Sequence, residues 1–354
     1  MVKVLVTGAC GFIGRHVVKR LRMGGYEVYG CDLSIRAPSE DVKVCICDVR
    51  DRRALLDFFS QIQPSGVIHL AARTDIERFD MRKPYSGRRE LDGSQRELSL
   101  LEGYDTNITG VANIVDAVMA TNSVRRVIFT STQLVHSLGQ TPSEGDALNP
   151  TTTYGRSKAI GEQLVRERDG GGREWCIVRP TTVWGEGMSA HYVKFMEFVA
   201  KGLYVHPSKS DLHKSYGYVG NVAYEFVKLL EAPLASVHRK VFYLADYEPL
   251  SLRRYAEAIA RELGAPRIRS VPSSLMRAAG RVGDIARLCG LRNVPLNSFV
   301  VGNMLCEYRL DLNNTRAVCG ELPFGFEEAV RATVAWFVEG QRVRRLGTCA
   351  QIAE

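Results

Sequence analysis

No apolar run in the sequence approaches the roughly 20 residues that a membrane-spanning helix requires. The opening residues, Met1-Val2-Lys3-Val4-Leu5-Val6-Thr7-Gly8, lead into a glycine turn and not into the apolar core of a secretion signal. A cytoplasmic protein with no membrane partner is the expectation. Regular cysteine spacing is also missing: nine cysteines, an odd number, are scattered along 354 residues, which argues against a disulfide framework and predicts reduced thiols. The nearest pair, Cys45 and Cys47, falls in a strand-like run, where period two would put both side chains on one face. With no second pair to complete a zinc site, a buried structural role and no metal are expected. Basic clusters are absent as well. The formal charge is +8, yet lysine and arginine are dispersed, with no basic helix and no aromatic–basic interleaving. No nucleic-acid partner is therefore expected, and an anionic small molecule is a sufficient reason for the charge.

What is present reads as a folded enzyme-sized chain. Apolar residues make up 45% and charged residues 24%, and the length accommodates a nucleotide-binding domain with a smaller lobe. Short β-branched runs at Lys3–Thr7, Glu27–Cys31, Val42–Cys47, Gly66–His69, Arg126–Ser131 and Trp175–Arg179 alternate with helical patterns. Among these helices are one from Phe12 to the Gly24-Gly25 stop and others at Tyr104–Thr121 and Tyr154–Arg168. Such alternation predicts an α/β fold: a Rossmann-type doubly wound parallel sheet with a smaller, mostly helical C-terminal substrate lobe. The first domain is expected over 1–182, with 216–246 returning to it, and the lobe over 183–215 and 247–345. The polar stretch 77–98 has neither period and is expected to cover or border the substrate site.

The strongest local signal is Gly8-Ala9-Cys10-Gly11-Phe12-Ile13-Gly14, directly after the first strand and opening the first helix. There the three glycines allow a tight turn, close approach of backbone to a pyrophosphate, and close helix–strand packing, while Phe12 and Ile13 begin the helix whose free N–H groups face the phosphates. Asp32 follows eighteen positions after Gly14, at the end of the second strand, where a carboxylate accepts ribose hydroxyls and repels a 2′-phosphate. NAD is the predicted cofactor. Arg36 is the nearby cation that would accommodate NADP instead.

These glycines and the motifs after them resemble the extended short-chain dehydrogenase/reductases, the NAD-dependent epimerase/dehydratase family. The matches run in order along most of the chain: Asp48-Val49, His69-Leu70-Ala71-Ala72, Asn107, Tyr154-Gly155-Arg156-Ser157-Lys158 and Val178-Arg179-Pro180. The resemblance implies that Asp48 and Val49 hold the adenine, that Leu70, Ala71 and Ala72 pass the cofactor, and that Asn107 supports the central helix. Tyr154, Lys158 and Pro180 would complete the cofactor contacts. It also implies a homodimer, in which Tyr104–Thr121 and Tyr154–Arg168 pair with their twofold copies.

Tyr154 and Lys158 are four apart on a predicted helix and share a face. A phenol of pKa about 10 needs roughly 4 kcal/mol of differential stabilisation to act as a base near neutral pH, a field that Lys158 and a positive nicotinamide ring supply. Tyr154 is read as the general base in oxidation and acid in reduction, with Thr132 hydrogen-bonding the substrate oxygen. Ser131 is read as a supporting neighbour and His136 as packing near the site. Gln133, Thr182 and Lys214 are the further substrate candidates. Lys214 stands where many nucleotide-sugar relatives carry a diphosphate-binding arginine, and lysine lacks the bidentate fork. A second diphosphate arginine is not evident in the apolar Ser298–Leu305, though Arg82, Lys83, Arg88 or Arg89 would compensate. Three readings follow: an epimerase or oxidoreductase of a nucleotide-activated sugar, a dehydrogenase of an apolar alcohol such as a hydroxysteroid or flavonoid, or a non-catalytic cofactor binder. The Gln133-Leu134 pair after Thr132 titrates at no neutral pH, which argues against a dehydratase.

Overall fold

A computed structural model describes residues 1–34, 42–75, 101, 103–137, 139–140, 142, 147–291, 294 and 296–351. The segment 77–98 with its arginines and lysine, and Arg36, lie outside the described residues. Seven strands form one sheet: β1 (Lys3–Thr7), β2 (Glu27–Asp32), β3 (Lys43–Ile46), β4 (Gly66–His69), β5 (Arg126–Thr130), β6 (Glu174–Pro180) and β7 (Lys240–Leu244). The principal helices are α1 (Phe12–Met23), α2 (Arg52–Ile62), α3 (Asp105–Ala120), α4 (Thr153–Glu167), α5 (Ala190–Ala200), α6 (Val219–Glu231), α7 (Leu252–Glu262), α8 (Ser273–Leu288), α9 (Ser298–Leu305), α10 (Asn313–Cys319) and α11 (Phe326–Gln351).

The sheet order is β3-β2-β1-β4-β5-β6-β7, and every pair is parallel. This is the doubly wound Rossmann arrangement, with the order reversing between β1 and β4. Helices cover both faces, so the central strands are apolar on both sides; all four residues of β4 are buried. On one face Leu5, Val67, Val127 and Ile177 of the sheet meet Phe59 of α2 and Ile114 of α3 in a single core. Helix α2, absent from the sequence expectations, starts where the Asp51 carboxylate accepts the Ala54 N–H, and it buries Leu55, Phe59 and Ile62 at helical spacing. Helix α4 begins in the same way, with the Thr152 hydroxyl accepting the Gly155 N–H.

The chain divides into two compact units. The first comprises Met1–Thr182, Val219–Ala245 and Leu310–Pro323. The last of these segments differs from the expected boundaries, which put 247–345 wholly in the lobe. It carries α10, whose Thr315 hydroxyl donates to Tyr243 O at 2.7 Å and whose Cys319 O accepts from the Tyr224 hydroxyl at 3.1 Å. The second unit comprises Val183–Tyr218, Asp246–Arg309 and Phe324–Glu354. Its core is aromatic: Trp184 is fully buried between the rings of Tyr218 and Tyr255, and Phe195 stacks on Tyr255.

One cysteine expectation is corrected. Strand β3 ends at Ile46, so alternation does not carry through to Cys47; Cys45 is exposed and Cys47 buried, and the two share no face. Among the described residues no helix is long and apolar enough to cross a membrane, and no cluster of side chains is arranged to hold a metal.

Candidate active site

The glycine loop lies at the reversal of strand order. Gly8 takes φ +68°, and a Cβ there would stand 2.8 Å from Ala71 N. A Cβ on Gly14 would stand 2.0 Å from Gly8 O, so the loop folds back on the helix only because that atom is missing. Helix α1 opens at Gly11 with no side-chain cap, which leaves first-turn N–H groups for an anion. Phe12 and Ile13, both half-buried, form that turn. Asp32 is fixed by two backbone donors: Cys10 N–H to Oδ2 at 2.9 Å and Leu33 N–H to Oδ1 at 2.8 Å.

Thr7 joins the two strands that flank this crevice. Its Oγ1 accepts the N–H groups of Leu70 at 3.2 Å and Ala71 at 3.1 Å and lies 2.8 Å from His69 Nδ1. Burial, with the charge of Lys158 adding to it, pushes His69 down to about 3, so the ring is neutral. Asp48 is gripped by the Arg50 guanidinium, which holds its carboxyl below the usual range. The Val49 side chain packs into the core, and its carbonyl accepts from Asn113 at 3.0 Å. Ala72 follows Ala71 as the chain leaves β4, and Pro180 closes β6, buried.

The catalytic candidates converge at the ends of β5 and α4. Thr132 ends the loop after β5, and its hydroxyl oxygen accepts the Leu134 N–H at 3.3 Å. Thr132 and Tyr154 are both buried, and the Thr132 hydroxyl favours the ionised form of the phenol. Burial pushes Tyr154 up to about 12, and the Thr132 hydroxyl offsets part of that rise. Lys158, one turn along α4, is pushed down to about 8 by burial, against the opposing charge of Glu162. Asn107 of α3 is fully buried and fully engaged: Oδ1 accepts Arg73 N–H at 2.8 Å, while Nδ2 donates to Arg73 O at 3.0 Å and to Ser157 Oγ at 2.9 Å. The Ser157 hydroxyl donates in turn to Tyr154 O at 2.7 Å. The backbone that carries Tyr154 is thereby tied to α3.

Behind Lys158 stands a pair that the sequence reading does not single out. Arg179 of β6 donates to both oxygens of Glu162, Nε to Oε1 at 2.8 Å and Nη2 to Oε2 at 2.7 Å, with both side chains almost wholly buried. Burial pushes the Glu162 carboxyl up, but the bonds and charge of Arg179 outweigh it and leave the carboxyl below its ordinary value. The Tyr243 hydroxyl accepts from Arg179 Nη1 at 2.9 Å, and His136 Nε2 lies 3.2 Å from the same nitrogen.

A family model, described as the NAD dependent epimerase/dehydratase family, matches residues 4–245. The chain belongs to this family. Among its relatives is the N-acetyl-alpha-D-glucosaminyl-diphospho-ditrans,octacis-undecaprenol 4-epimerase of Escherichia coli O157:H7, 25% identical over 264 residues, which span 73% of this chain and 72% of that one. Another is a 3-beta-hydroxysteroid dehydrogenase of Mycolicibacterium neoaurum, 26% identical over 294 residues, 79% of this chain and 74% of that one. The fold is shared with the UDP-glucose 4-epimerase of Thermus thermophilus, solved with NAD, at a TM-score of 0.66 and 23% identity over 95% of this chain and 99% of that one. The protein is thus an NAD-dependent enzyme of the extended short-chain dehydrogenase/reductase type. Its own residues fit that cofactor: the cradle at Gly8 and Gly14 is one that a Cβ would fill, and a carboxylate is fixed at the end of β2.

Three substrate candidates remain. Gln133 opens the short 3-10 turn after Thr132, and Thr182, half-buried, begins the short strand Thr182–Trp184 that follows β6. Lys214 lies in the second unit, buried, with its ammonium donating to Asn303 O at 2.6 Å and standing over the Tyr308 ring. Burial pushes it down to about 8. Its charge is directed inward, a disposition that residue identity alone does not reveal.

Proposed function

We propose that this enzyme moves a hydride at a secondary alcohol or ketone, as an epimerase or oxidoreductase of a nucleotide-activated sugar. The observation that carries the reading is the burial of Tyr154 and Lys158, one turn apart on α4, together with the buried Thr132 that follows β5. When bound, NAD supplies the hydride acceptor and donor. Thr132 orients the substrate oxygen, and Tyr154 takes its proton or returns it. Bringing a phenol from about 12 to neutral pH takes about 7 kcal/mol of differential stabilisation, more than an unperturbed tyrosine would need. Lys158 keeps its proton below about pH 8, so its ammonium serves at neutral pH to favour the phenolate. Asn107, through Ser157, holds the turn of α4 on which the phenol stands. The homodimer through α3 and α4 and the cytoplasmic setting belong to the same reading.

Lys214 favours a second reading. With its ammonium committed to Asn303 O, the expected diphosphate contact is weakened, as an apolar alcohol substrate would allow. The hydroxysteroid dehydrogenase among the relatives fits that reading. Incubation with UDP-hexoses followed by proton NMR separates the two. Interconversion of C4 epimers supports the sugar, and its absence together with NADH formation from a hydroxysteroid supports the alcohol. Tyr154→Phe is expected to retain NAD and to lower turnover at least about a hundredfold, and near-normal turnover refutes the assignment.

A further inference from the structure

Helix α8 presents two opposed faces. One is made of glycine: Gly280 and Gly283 are buried, and a Cβ on Gly283 would fall 1.8 Å from Leu296 O. That face takes Val301 of α9 and the chain leading into it. The opposite face carries Leu275, Val282 and Ile285, exposed by 58, 66 and 60%, and ends in Leu288 at 87% and Leu291 at 62%. Leu275, Val282 and Ile285 are separated by seven and three residues, so they fall close to one line along the helix rather than being scattered around it. Leu275, Val282, Ile285 and Leu288, this exposed and on one side of a single helix, form an apolar stripe, which singly exposed apolar residues do not.

The charge of this stretch is predominantly positive. Between Arg267 and Leu291 the sequence holds five arginines, Arg267, Arg269, Arg277, Arg281 and Arg287, and one acid, Asp284. All five arginines are exposed, and none is drawn into an ion pair with a described residue. Asp284 is partly turned inward, its Oδ1 accepting the Ser298 N–H at 3.2 Å. The concentration lies in one stretch of 25 residues, which the near-even spread of basic residues over the rest of the chain dilutes.

We propose that α8 is a peripheral docking element for a bilayer rich in anionic phospholipid. Leu275, Val282, Ile285 and Leu288 enter the boundary between headgroups and acyl chains, and the arginines lie among the phosphates. The charge selects this occupant: by helical spacing Arg277 and Arg281 flank Ile285 and Leu288, so a second copy of the same face would set like charges together, whereas an anionic surface complements them. The expectation of no membrane partner rested on the lack of a spanning segment, and peripheral docking needs none. The proposal is independent of which alcohol the enzyme oxidises.

The test is co-sedimentation of the full chain with vesicles of equal parts phosphatidylglycerol and phosphatidylcholine, compared with phosphatidylcholine alone. The anionic vesicles are expected to retain the protein, less so at high salt. Arg277→Gln and Arg281→Gln should each weaken retention about fivefold. The double variant V282D/I285D should weaken it at least about tenfold. Circular dichroism and NAD titration check that the variants are folded, and Val282→Ala with Ile285→Ala gives a milder pair if the aspartates disrupt folding. Equal retention on both vesicle types, or undiminished retention of a folded V282D/I285D or V282A/I285A, overturns the proposal. Self-association of the wild type that the variants abolish, without vesicle binding, overturns it in favour of a second copy.

Discussion

Replacing Glu162 by Gln removes one charge from a pair that is almost wholly buried and leaves its partner in place. In the wild type Arg179 donates to both carboxylate oxygens at 2.7 and 2.8 Å. In the variant its guanidinium keeps the glutamine amide oxygen, the Tyr243 hydroxyl and the His136 ring nearby, but no carboxylate bonded through both oxygens. Breaking a buried pair in this way costs about 3–5 kcal/mol, because a charge remains without compensation in a poorly solvated site. Urea titration followed by far-ultraviolet circular dichroism should register that loss at pH 7. The double variant E162L/R179M, which removes both charges, should recover much of it, and the cycle isolates the coupling. Acid provides an independent check on sign. The folded-state carboxyl lies below its unfolded value of about 4.5, so its contribution is full above that pH and is lost as the pH falls through the folded value. Wild type and E162Q should therefore converge in acid. Glu162 also raises the pKa of Lys158, so E162Q should shift the alkaline limb of the pH–rate profile downward. A loss below about 1 kcal/mol at pH 7, the value typical of an exposed pair, would refute the reasoning.

The glycine loop gives a sharper steric test. Gly14→Ala puts a methyl 2.0 Å from Gly8 O, so calorimetric titration should show NAD affinity reduced at least about tenfold, and unchanged affinity would mean that the loop yields freely. Asp32 is expected to make NAD bind more tightly than NADP; equal affinities for the two would show that another cation governs that corner. Light scattering at micromolar concentration should give the mass of a dimer through α3 and α4, and a monomer alone would reject that pairing.

The sheet is largely legible in the sequence because buried parallel strands leave short apolar runs, and strands β1 and β4 fall where the pattern puts them. Helix α2 escapes that reading although Asp51 and the spacing of Leu55, Phe59 and Ile62 mark an amphipathic helix; a length of eleven residues makes its period easy to miss. The pairing of Arg179 with Glu162 has half a signal, since a charge in the buried part of β6 (Glu174–Pro180) demands a partner. Nothing local names that partner seventeen residues away. Thr132, Tyr154 and Lys158 are accessible through motif and helical spacing, whereas the part played by Asn107 and Ser157 in seating the phenol depends on bonds across α3 and α4. The arginines around α8 are visible in the sequence once that stretch is taken alone, whereas the inward turn of Lys214 is not. Sequence gives a charge its place along the chain and not its direction in space.

Thr7 carries a consequence for how the crevice behaves. A single hydroxyl there bridges β1 to the chain leaving β4, and the space above Gly8 is closed by Ala71. The opening between the two strands is therefore an aperture of fixed width and not a jaw that shuts on its contents. Its shape is settled when the chain folds, so a dinucleotide need not recruit ordering of this wall as it binds. Thr7→Val, nearly the same in volume, would keep the Leu70 N–H on the Thr7 carbonyl and the sheet in register while releasing the Ala71 N–H, and the resulting loss would register as looseness of fit at that one point.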